Sequence, residues 1–379
     1  MGLPRSRYVH EGQEGVYHCF SRCVRRAFLY GFDAITSRDF SHRKVWLVDR
    51  LRHLAAIFAI DVCAYAVMDN HYHTILRTRP DLVACWPDHE VASRWLSLFP
   101  RHRDPKGSPL PPTDTDICAL ADRTERIAVL RQRLSSLSWF MGRLNEFIAR
   151  AANKEDSVKG RFWESRFKCQ ALLDEAAIAA CMVYVDLNPV RAGLADSPET
   201  SDFTSIRERI RAWQKETMTT ASAPSETAHS AQPGSCGSDM GTPESAGAIS
   251  TDGISDPSHF LEGATLSTCW LCPIQSDSVR RGILHITAVE YFALVEQSGR
   301  LRRSEKPGAI DAELVPILLR IGANPEAWPD TVSRFGSKFR LAAGLLSSLR
   351  EFAEQLGRRW LKGIASARAA FASTSPQWT

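Results

Sequence analysis

A segment of small and polar residues divides the chain and limits what either side of it can fold into. Residues 216–259 are rich in Ser, Thr, Ala, Gly and Pro and contain no Lys, Arg, Phe, Trp or Tyr. Such a segment buries too little apolar surface to offset the conformational entropy lost on ordering. We therefore predict a first domain at 1–215, a disordered linker at 216–259 and a second domain at 260–379.

Charge is distributed unevenly along the chain. Residues 1–215 contain 32 Lys and Arg against 26 Asp and Glu, whereas the remainder of the chain contains 15 against 17. The positive excess makes the first domain the better candidate for a polyanionic partner. Counted together, the linker and the second domain have no positive excess, and we expect no direct contact between the second domain and a polyanion.

Hydropathy predicts neither membrane insertion nor secretion. No run of residues approaches the ~18 consecutive apolar positions that a membrane span needs. The N-terminal residues Met1–Arg7 lack the apolar core of a secretory signal. We therefore expect a cytoplasmic protein whose ten cysteines are reduced thiols.

Hydrophobic periodicity in the first domain alternates between strand and helix. The predicted strands are 16–22, 61–68, 71–77 and 167–173, and the predicted helices are 45–60, 119–152 and 174–187. Asp69 and Asn70 form a tight turn between two of these strands. The order β-α-β-β-α-β-α predicts an α+β domain, with a ferredoxin-like antiparallel sheet and helices on one face. The second domain shows helical patterns and is predicted to be mainly helical, with no catalytic constellation.

Two histidines begin the returning strand of the predicted hairpin. His71 and His73 are two residues apart, so on a strand they lie on one side of the sheet while Tyr72 lies on the other. The preceding strand is apolar enough to be central and rigid, which would preorganise the two imidazoles as metal ligands. An isolated His-x-His motif is more often a pair of ordinary sheet histidines, so the hypothesis needs a partner site.

A tyrosine and an asparagine near the end of the last predicted helix supply that partner. Tyr184 and Asn188 are four residues apart and share a helix face. The Asn188 carbonyl oxygen is a ligand suited to Mg²⁺ or Mn²⁺, and a phenolic oxygen would lie beside it. Without the histidines, a tyrosine on such an alanine-rich helix would more often pack its ring against the sheet.

This combination of residue types suits phosphodiester transfer. A divalent ion held by two imidazoles and an amide oxygen polarises the scissile phosphate and neutralises developing charge. A tyrosine that attacks phosphorus forms a covalent phosphotyrosine and releases a 3′-hydroxyl, in a reaction that can be reversed to rejoin strands. A nearby metal also favours the phenolate over a phenol whose unperturbed pKa is about 10.

Four ordered blocks carry a resemblance to a known family. They are Gly15–Arg22, Tyr65–His73, Gly160–Lys168 and Tyr184–Leu194. Over about residues 5–215 the chain resembles the single-tyrosine HUH transposases, and most closely their REP-associated tyrosine transposase branch. The resemblance implies that Tyr184 is the nucleophile, that His71 and His73 bind the metal, and that Asn188 completes the metal site. It also implies cleavage and rejoining of single-stranded DNA beside a hairpin such as a REP element.

Basic residues interleaved with aromatic ones indicate a groove for single-stranded DNA. Cations follow the phosphates, while aromatic rings stack on unpaired bases or pack in the core. Trp163 fits a stacking platform and a core position equally well, and Arg191 could equally complement a helix dipole. The candidate DNA-binding residues are Arg22, Arg25, Arg26, Arg161, Arg166, Lys168 and Arg191.

Other functions stay open on the sequence. A rolling-circle initiator or relaxase would use similar histidines and a tyrosine, although the chain has no GxxxxGK[ST] motif of a helicase. A non-catalytic nucleic-acid-binding regulator derived from a transposase would not need the four site residues together. A hydrolytic metalloenzyme unrelated to DNA fits the basic first domain poorly. Self-association into a homo-oligomer is compatible with the Leu-rich helical patterns of the second domain.

Overall fold

The computed structural model describes residues 3–24, 31–33, 37–221, 270–303 and 311–371. The strands are β1 (Gly15–Arg22), β2 (Phe32–Asp33), β3 (Arg38–Asp39), β4 (Ile60–Val67), β5 (His71–Thr78), β6 (Lys168–Leu172) and β7 (Ala342–Ala343). The helices before residue 222 are α1 (His42–Ile57), α2 (Pro80–Cys85), α3 (Asp88–Leu98), α4 (Asp114–Ala121), α5 (Thr124–Leu134), α6 (Leu137–Glu155), α7 (Glu175–Asp186), α8 (Asn188–Arg191) and α9 (Ser205–Ala221). The later ones are α10 (Ala288–Arg303), α11 (Val315–Arg320), α12 (Trp328–Ser333), α13 (Phe335–Lys338), α14 (Leu346–Gln355) and α15 (Ile364–Ala370).

Five strands form one mixed sheet in the order β4-β5-β1-β6-β7. The first four strands in this order, β4 to β6, pair antiparallel with one another. The fifth strand, β7, pairs in parallel with β6. The predicted α+β class is confirmed. A ferredoxin-like sheet is not, because its predicted antiparallel pattern is broken by a parallel strand from the second part of the chain. That strand is only two residues long, too short to leave a periodic signal in the sequence.

Helices cover both faces of the sheet, so the prediction of helices on one face is wrong. On one face, Tyr72 Oη of β5 donates a hydrogen bond to Asn145 Oδ1 of α6 over 2.7 Å. On the other face, the ring of His73 lies against Tyr184 of α7. The physical reason lies in β4, where seven of the eight side chains are buried and apolar. A strand apolar at successive positions needs cover on both sides.

Most predicted elements of the first part lie where the sequence patterns put them. Asp174 caps α7 as predicted, since its Oδ1 accepts a hydrogen bond from Ala177 N over 3.1 Å. The predicted helix 119–152 is divided among α4, α5 and α6, with Ser135 and Ser136 between the last two. Serine side chains compete for backbone hydrogen bonds and so favour such breaks. No helix in the described part of the chain is long and apolar enough to cross a membrane.

Residues 270–303 and 311–371, called the second part here, share one hydrophobic core with the first part of the chain. β7 extends the sheet through hydrogen bonds from Ala171 N to Leu341 O (3.0 Å) and from Leu173 N to Ala343 O (2.9 Å). α10, α12 and α13 all contact α7. The second part therefore packs directly on the sheet of the first part.

Two buried polar groups of the first part find partners in the second. The Arg77 guanidinium donates hydrogen bonds to the carbonyl oxygens of Gly282 (2.6 Å) and Arg281 (2.7 Å). Asp186 is fully buried, and its Oδ2 accepts a hydrogen bond from Tyr291 Oη over 2.5 Å. Burial raises the pKa of Asp186 to about 6. Buried polar groups of this kind are costly when their partners are removed.

Of the predicted boundaries, only the start of the linker falls among described residues. α9 continues through Ala221, past the predicted linker start at 216. Positions 222–269 lie outside the described residues. The split at 216–259 stays a prediction.

We predict that a fragment of residues 1–215 is markedly less stable than the full chain. It lacks the hydrogen bonds that join Arg77 and Asp186 to the second part, and each buried polar group that loses such a partner costs about 1–3 kcal/mol. Thermal unfolding of the fragment and of the full chain measures the difference. Adding residues 260–379 in trans should restore part of the lost stability, whereas equal unfolding temperatures would show that the first part folds independently.

Candidate active site

The candidate site lies at the end of the sheet where β5 begins. His71 and His73 are on the same side of β5, with ring centroids 5.0 Å apart and planes nearly perpendicular. β1 pairs with β5 so that Arg22 lies opposite His71 and Phe20 opposite His73. The alternation expected for a strand thus brings the two imidazoles together at one end of the sheet.

Each of these imidazoles is held by a hydrogen bond at Nδ1. His71 Nδ1 lies 2.5 Å from Asn70 Oδ1 of the hairpin turn. His73 Nδ1 lies 2.9 Å from His18 Nε2 of β1. A metal-binding histidine commonly uses one ring nitrogen for such an orienting bond and the other for the metal. The arrangement leaves Nε2 of both rings for coordination.

His18 is a residue of the site that the sequence interpretation missed. Its Nδ1 lies 3.2 Å from Gln170 Oε1 of β6, and its ring stacks on that of His73 with centroids 5.0 Å apart. Because the amide oxygen can only accept, Nδ1 of His18 carries the proton and Nε2 accepts from His73 Nδ1. This chain of hydrogen bonds fixes the His73 tautomer that can bind a metal through Nε2. A strand histidine was visible in the sequence, but the strand pairing that places it beside His73 was not.

Burial keeps the three imidazoles uncharged at neutral pH. It lowers the pKa of His18 and of His71 to about 4, and nearby Arg22 acts in the same direction on His71. Burial also lowers the pKa of His73 well below its usual value, with help from the neighbouring His18 and His71. Neutral imidazoles are the form that coordinates a metal.

Tyr184 meets the histidines from the helix that covers this face of the sheet. Its ring centroid lies 5.9 Å from that of His73 and 6.2 Å from that of His18, edge to face in both cases. Burial raises the pKa of the Tyr184 phenol, while the Arg191 charge and the Asn188 amide act to lower it. The protein alone therefore favours the neutral phenol.

Asn188 and Arg191 follow Tyr184 on the short helix α8. The Asn188 Nδ2 is buried and has no hydrogen-bond partner among the described residues. The Arg191 guanidinium lies over the Tyr184 ring, with 4.7 Å between Cζ and the ring centroid. The structure thus places Tyr184, Asn188 and Arg191 in one group beside the histidines.

The second part of the chain covers the phenol. The Phe335 ring of α13 lies against the Tyr184 ring with centroids 5.9 Å apart. A Cβ atom placed on Gly336 would lie 2.9 Å from Tyr184 Oη. Only a glycine backbone fits this close to the hydroxyl, so α13 restricts access to the oxygen that would have to react.

The donor set fits a divalent cation with mixed nitrogen and oxygen ligands. No group of three His, Cys, Asp or Glu side chains among the described residues could hold a metal ion. A site here therefore rests on His71 and His73, completed by oxygen from the Asn188 amide, water or substrate. Two neutral imidazoles with preset Nδ1 bonds meet the chemical requirement for such a site.

The candidate DNA-binding cations fall into three groups in the structure. Four of them are exposed, namely Arg22, Arg161, Arg166 and Lys168. Arg25 and Arg26 lie outside the described residues. Arg191 is half-buried over the Tyr184 ring and so belongs to the site itself.

Trp163, which fitted both roles on sequence, is half-buried and packs against the core. Its Nε1 donates a hydrogen bond to Asn145 O over 2.9 Å. Its ring meets the rings of Tyr72 and Phe162 edge to face, at 5.6 and 4.8 Å between centroids. Trp163 therefore anchors the segment before β6 to α6, and its indole nitrogen is already satisfied.

Comparison with known proteins gives one distant structural likeness. No family model matches the chain, and no curated protein matches it significantly. A solved structure of a REP-associated tyrosine transposase bound to a REP hairpin is similar, with a TM-score of 0.33 and 14% sequence identity. The match covers 64% of this chain and 100% of that one. Similarity at this level is too low to assign the chain to a family.

We predict that His18→Ala weakens Mn²⁺ binding roughly 10- to 100-fold, the range typical for loss of a residue that orients a metal ligand. Isothermal titration of the full chain with Mn²⁺ measures the affinity, and ¹⁵N NMR of the metal-free protein reports the His73 tautomer. Gln170→Leu should act in the same direction, because it removes the acceptor for His18 Nδ1. His102→Ala, at an exposed histidine, is the control; unchanged affinity in His18→Ala contradicts the prediction.

Proposed function

We propose that the protein is a transposase that cleaves and rejoins single-stranded DNA through a covalent link to Tyr184. The observation that carries the proposal is the contact between Tyr184 and His73, with 5.9 Å between their ring centroids. A nucleophile of this type beside two neutral imidazoles is the arrangement that metal-assisted phosphodiester transfer requires. The four blocks of sequence resemblance support the same reaction.

In the proposed reaction the Tyr184 oxygen loses its proton and attacks phosphorus. A new bond forms between Oη and phosphorus, the bond from phosphorus to the 3′ oxygen breaks, and that oxygen takes up a proton. The DNA 5′ phosphate stays on Tyr184, and attack by a 3′-hydroxyl reverses the step and releases the tyrosine. A divalent cation, when bound, would stabilise charge on the phosphate and favour the phenolate.

The residues around Tyr184 have separate tasks in this proposal. His71 and His73 hold the cation, with Asn188 as a further oxygen ligand. Arg191, over the Tyr184 ring, favours the phenolate by its charge and can contact a phosphate. Exposed cations at the same end of the sheet, such as Arg22 and Lys168, would hold the flanking DNA backbone. A hairpin beside the cleaved strand and self-association are further parts of the proposal.

The cover over Tyr184 favours a second candidate, a nucleic-acid-binding protein that does not cleave. Gly336 of α13 leaves no room for a further atom on its side of Oη. In the proposed reaction α13 moves aside when DNA binds. A non-catalytic binder would keep α13 in place.

Covalent capture separates the two candidates. The full chain is incubated with labelled single-stranded oligonucleotides that flank a hairpin, in the presence of Mn²⁺. A protein–DNA band that survives denaturing electrophoresis supports the transposase. Binding without any such band favours the regulator.

We predict that Tyr184→Phe abolishes the covalent band and leaves DNA affinity within about twofold, because only a hydroxyl is removed. Denaturing electrophoresis and fluorescence anisotropy measure the two properties. Tyr72→Phe is the matched control, since Tyr72 Oη is buried against Asn145 on the opposite face. A covalent band that persists in Tyr184→Phe moves the nucleophile to another residue and contradicts the proposal.

We predict that His71→Ala and His73→Ala each remove metal-dependent cleavage, because a single imidazole holds the cation too weakly. Asn188→Ala should have a smaller effect, since water can replace one oxygen ligand. Cleavage rates across an Mn²⁺ titration test all three variants. The metal assignment is wrong if the wild-type protein cleaves equally well in EDTA.

A further inference from the structure

A loop of the second part presents a tryptophan among positive charges. Residues Gly357–Gly363, called the basic loop here, join α14 to α15. Trp360 is 64% exposed, although tryptophan is usually well buried. The side chains of Arg358, Arg359 and Lys362 are also exposed, and none of the three forms an ion pair with a described residue.

The backbone of the basic loop is fixed at both ends. Gly357 has a φ of 65° and ends α14, and Arg358 N donates a hydrogen bond to Ala353 O over 2.8 Å. This left-handed glycine is a common way to stop a helix. Leu361 is 3% exposed and anchors the middle of the loop in the core. The anchored backbone of the basic loop therefore keeps the Trp360 side chain exposed.

The basic loop lies next to the elements that cover the candidate site. A Cβ on Gly363 would lie 2.7 Å from the Phe339 ring, whose centroid is 5.1 Å from that of Phe335. Phe335 in turn packs on Tyr184. The loop is thus two aromatic contacts away from the candidate nucleophile.

Positive charge continues from the candidate site toward the basic loop. β7 pairs in parallel with β6 so that Ala342 lies opposite Ala171. The chain just before β7 therefore runs beside the start of β6, and exposed Arg340 lies at the same sheet end as Lys168. Arg22 ends β1 there as well. These cations line the sheet end between the histidines and the loop.

Average composition concealed this charge. Residues 216–379 contain 15 Lys and Arg against 17 Asp and Glu, but six of these acidic residues and none of the basic ones lie in the predicted linker 216–259. Residues 331–371 contain eight Lys and Arg against two Glu. The acidic residues are concentrated before position 331. The expectation that the second part makes no contact with a polyanion rested on the average.

We propose that the basic loop binds single-stranded DNA, with an unpaired base stacked on Trp360 and the phosphates held by Arg358, Arg359 and Lys362. An exposed ring flanked by cations provides both features of sequence-tolerant single-strand binding. The identity of the strand as the one that reaches Tyr184 rests on the proposed function. Binding by the loop does not require cleavage.

The first test measures stacking. Fluorescence anisotropy follows a labelled oligothymidylate binding to the full chain carrying Tyr184→Phe, so that no cleavage intervenes. Adding Trp360→Ala should weaken binding about 10-fold, within the range for loss of one stacked base, and Trp360→Phe should retain most of the affinity. Trp213→Ala is the matched control, because Trp213 is 42% exposed on α9, which packs on the far edge strand β4. Equal affinity of Trp360→Ala and its parent overturns the proposal.

The second test measures phosphate contacts. Replacing Arg358, Arg359 and Lys362 together by Ala should reduce the salt dependence of log K by roughly 2, at ~0.7 for each phosphate contact on a single strand. The control triple neutralises Lys106, Arg123 and Arg126, all of them exposed and in or before α5. An equal loss in the control would show a general charge effect and overturn the loop assignment.

Binding to duplex DNA distinguishes the contribution of base stacking from that of charge. A blunt duplex has no unpaired base for Trp360, so Trp360→Ala should change duplex binding by less than twofold. A 10-fold loss on duplex as well would overturn the stacking assignment. Failure of the proposed function is visible separately, as the absence of a covalent band in a chain whose single-strand binding still depends on the basic loop.

Discussion

The pairing of β1 with strands on both sides is the constraint on which the candidate site depends. β1 lies between β5 and β6, so that His18 lies opposite Gln170 on one side and its ring stacks on His73 of the other. A slip of one residue in either pairing would turn these side chains to the α6 face of the sheet. The backbone hydrogen bonds of three strands thus set the geometry of the imidazoles, and the metal-binding tautomer of His73 follows from that geometry.

The second layer of the site comes from a part of the chain more than 100 residues away. α7 lies between the sheet and helices α10, α12 and α13. One end of α7 is fixed by buried Asp186 and Tyr291, and its tyrosine is covered by Phe335. The residues with candidate chemical roles belong to the first part of the chain, but the environment that raises the pKa of Tyr184 belongs to both.

Local sequence patterns predict which residues of the candidate site share a strand or helix face. Pairing between strands that are distant in sequence determines which of these residues come into contact. The pairing of His71 with His73 and the shared face of Tyr184 and Asn188 follow from strand and helix periods alone. The role of His18 depends on strand register, which no local pattern contains. β7 has two residues and joins the sheet from a distance of about 170 positions, so its placement follows from packing and not from periodicity. The apolar sequence of β4 already indicates cover on both faces, although the order of the elements alone fits helices on one face.

The contact between Gly336 and Tyr184 Oη has a thermodynamic consequence for any ligand that must reach this oxygen. Covered and open arrangements then compete, and the apparent affinity of the ligand falls by the fraction of molecules that are open. Each 1.4 kcal/mol in favour of the covered arrangement lowers that affinity about tenfold. The mutually packed rings of Phe335, Phe339 and Phe371 hold α13 in place. Side chains that never touch the ligand therefore set part of its binding free energy.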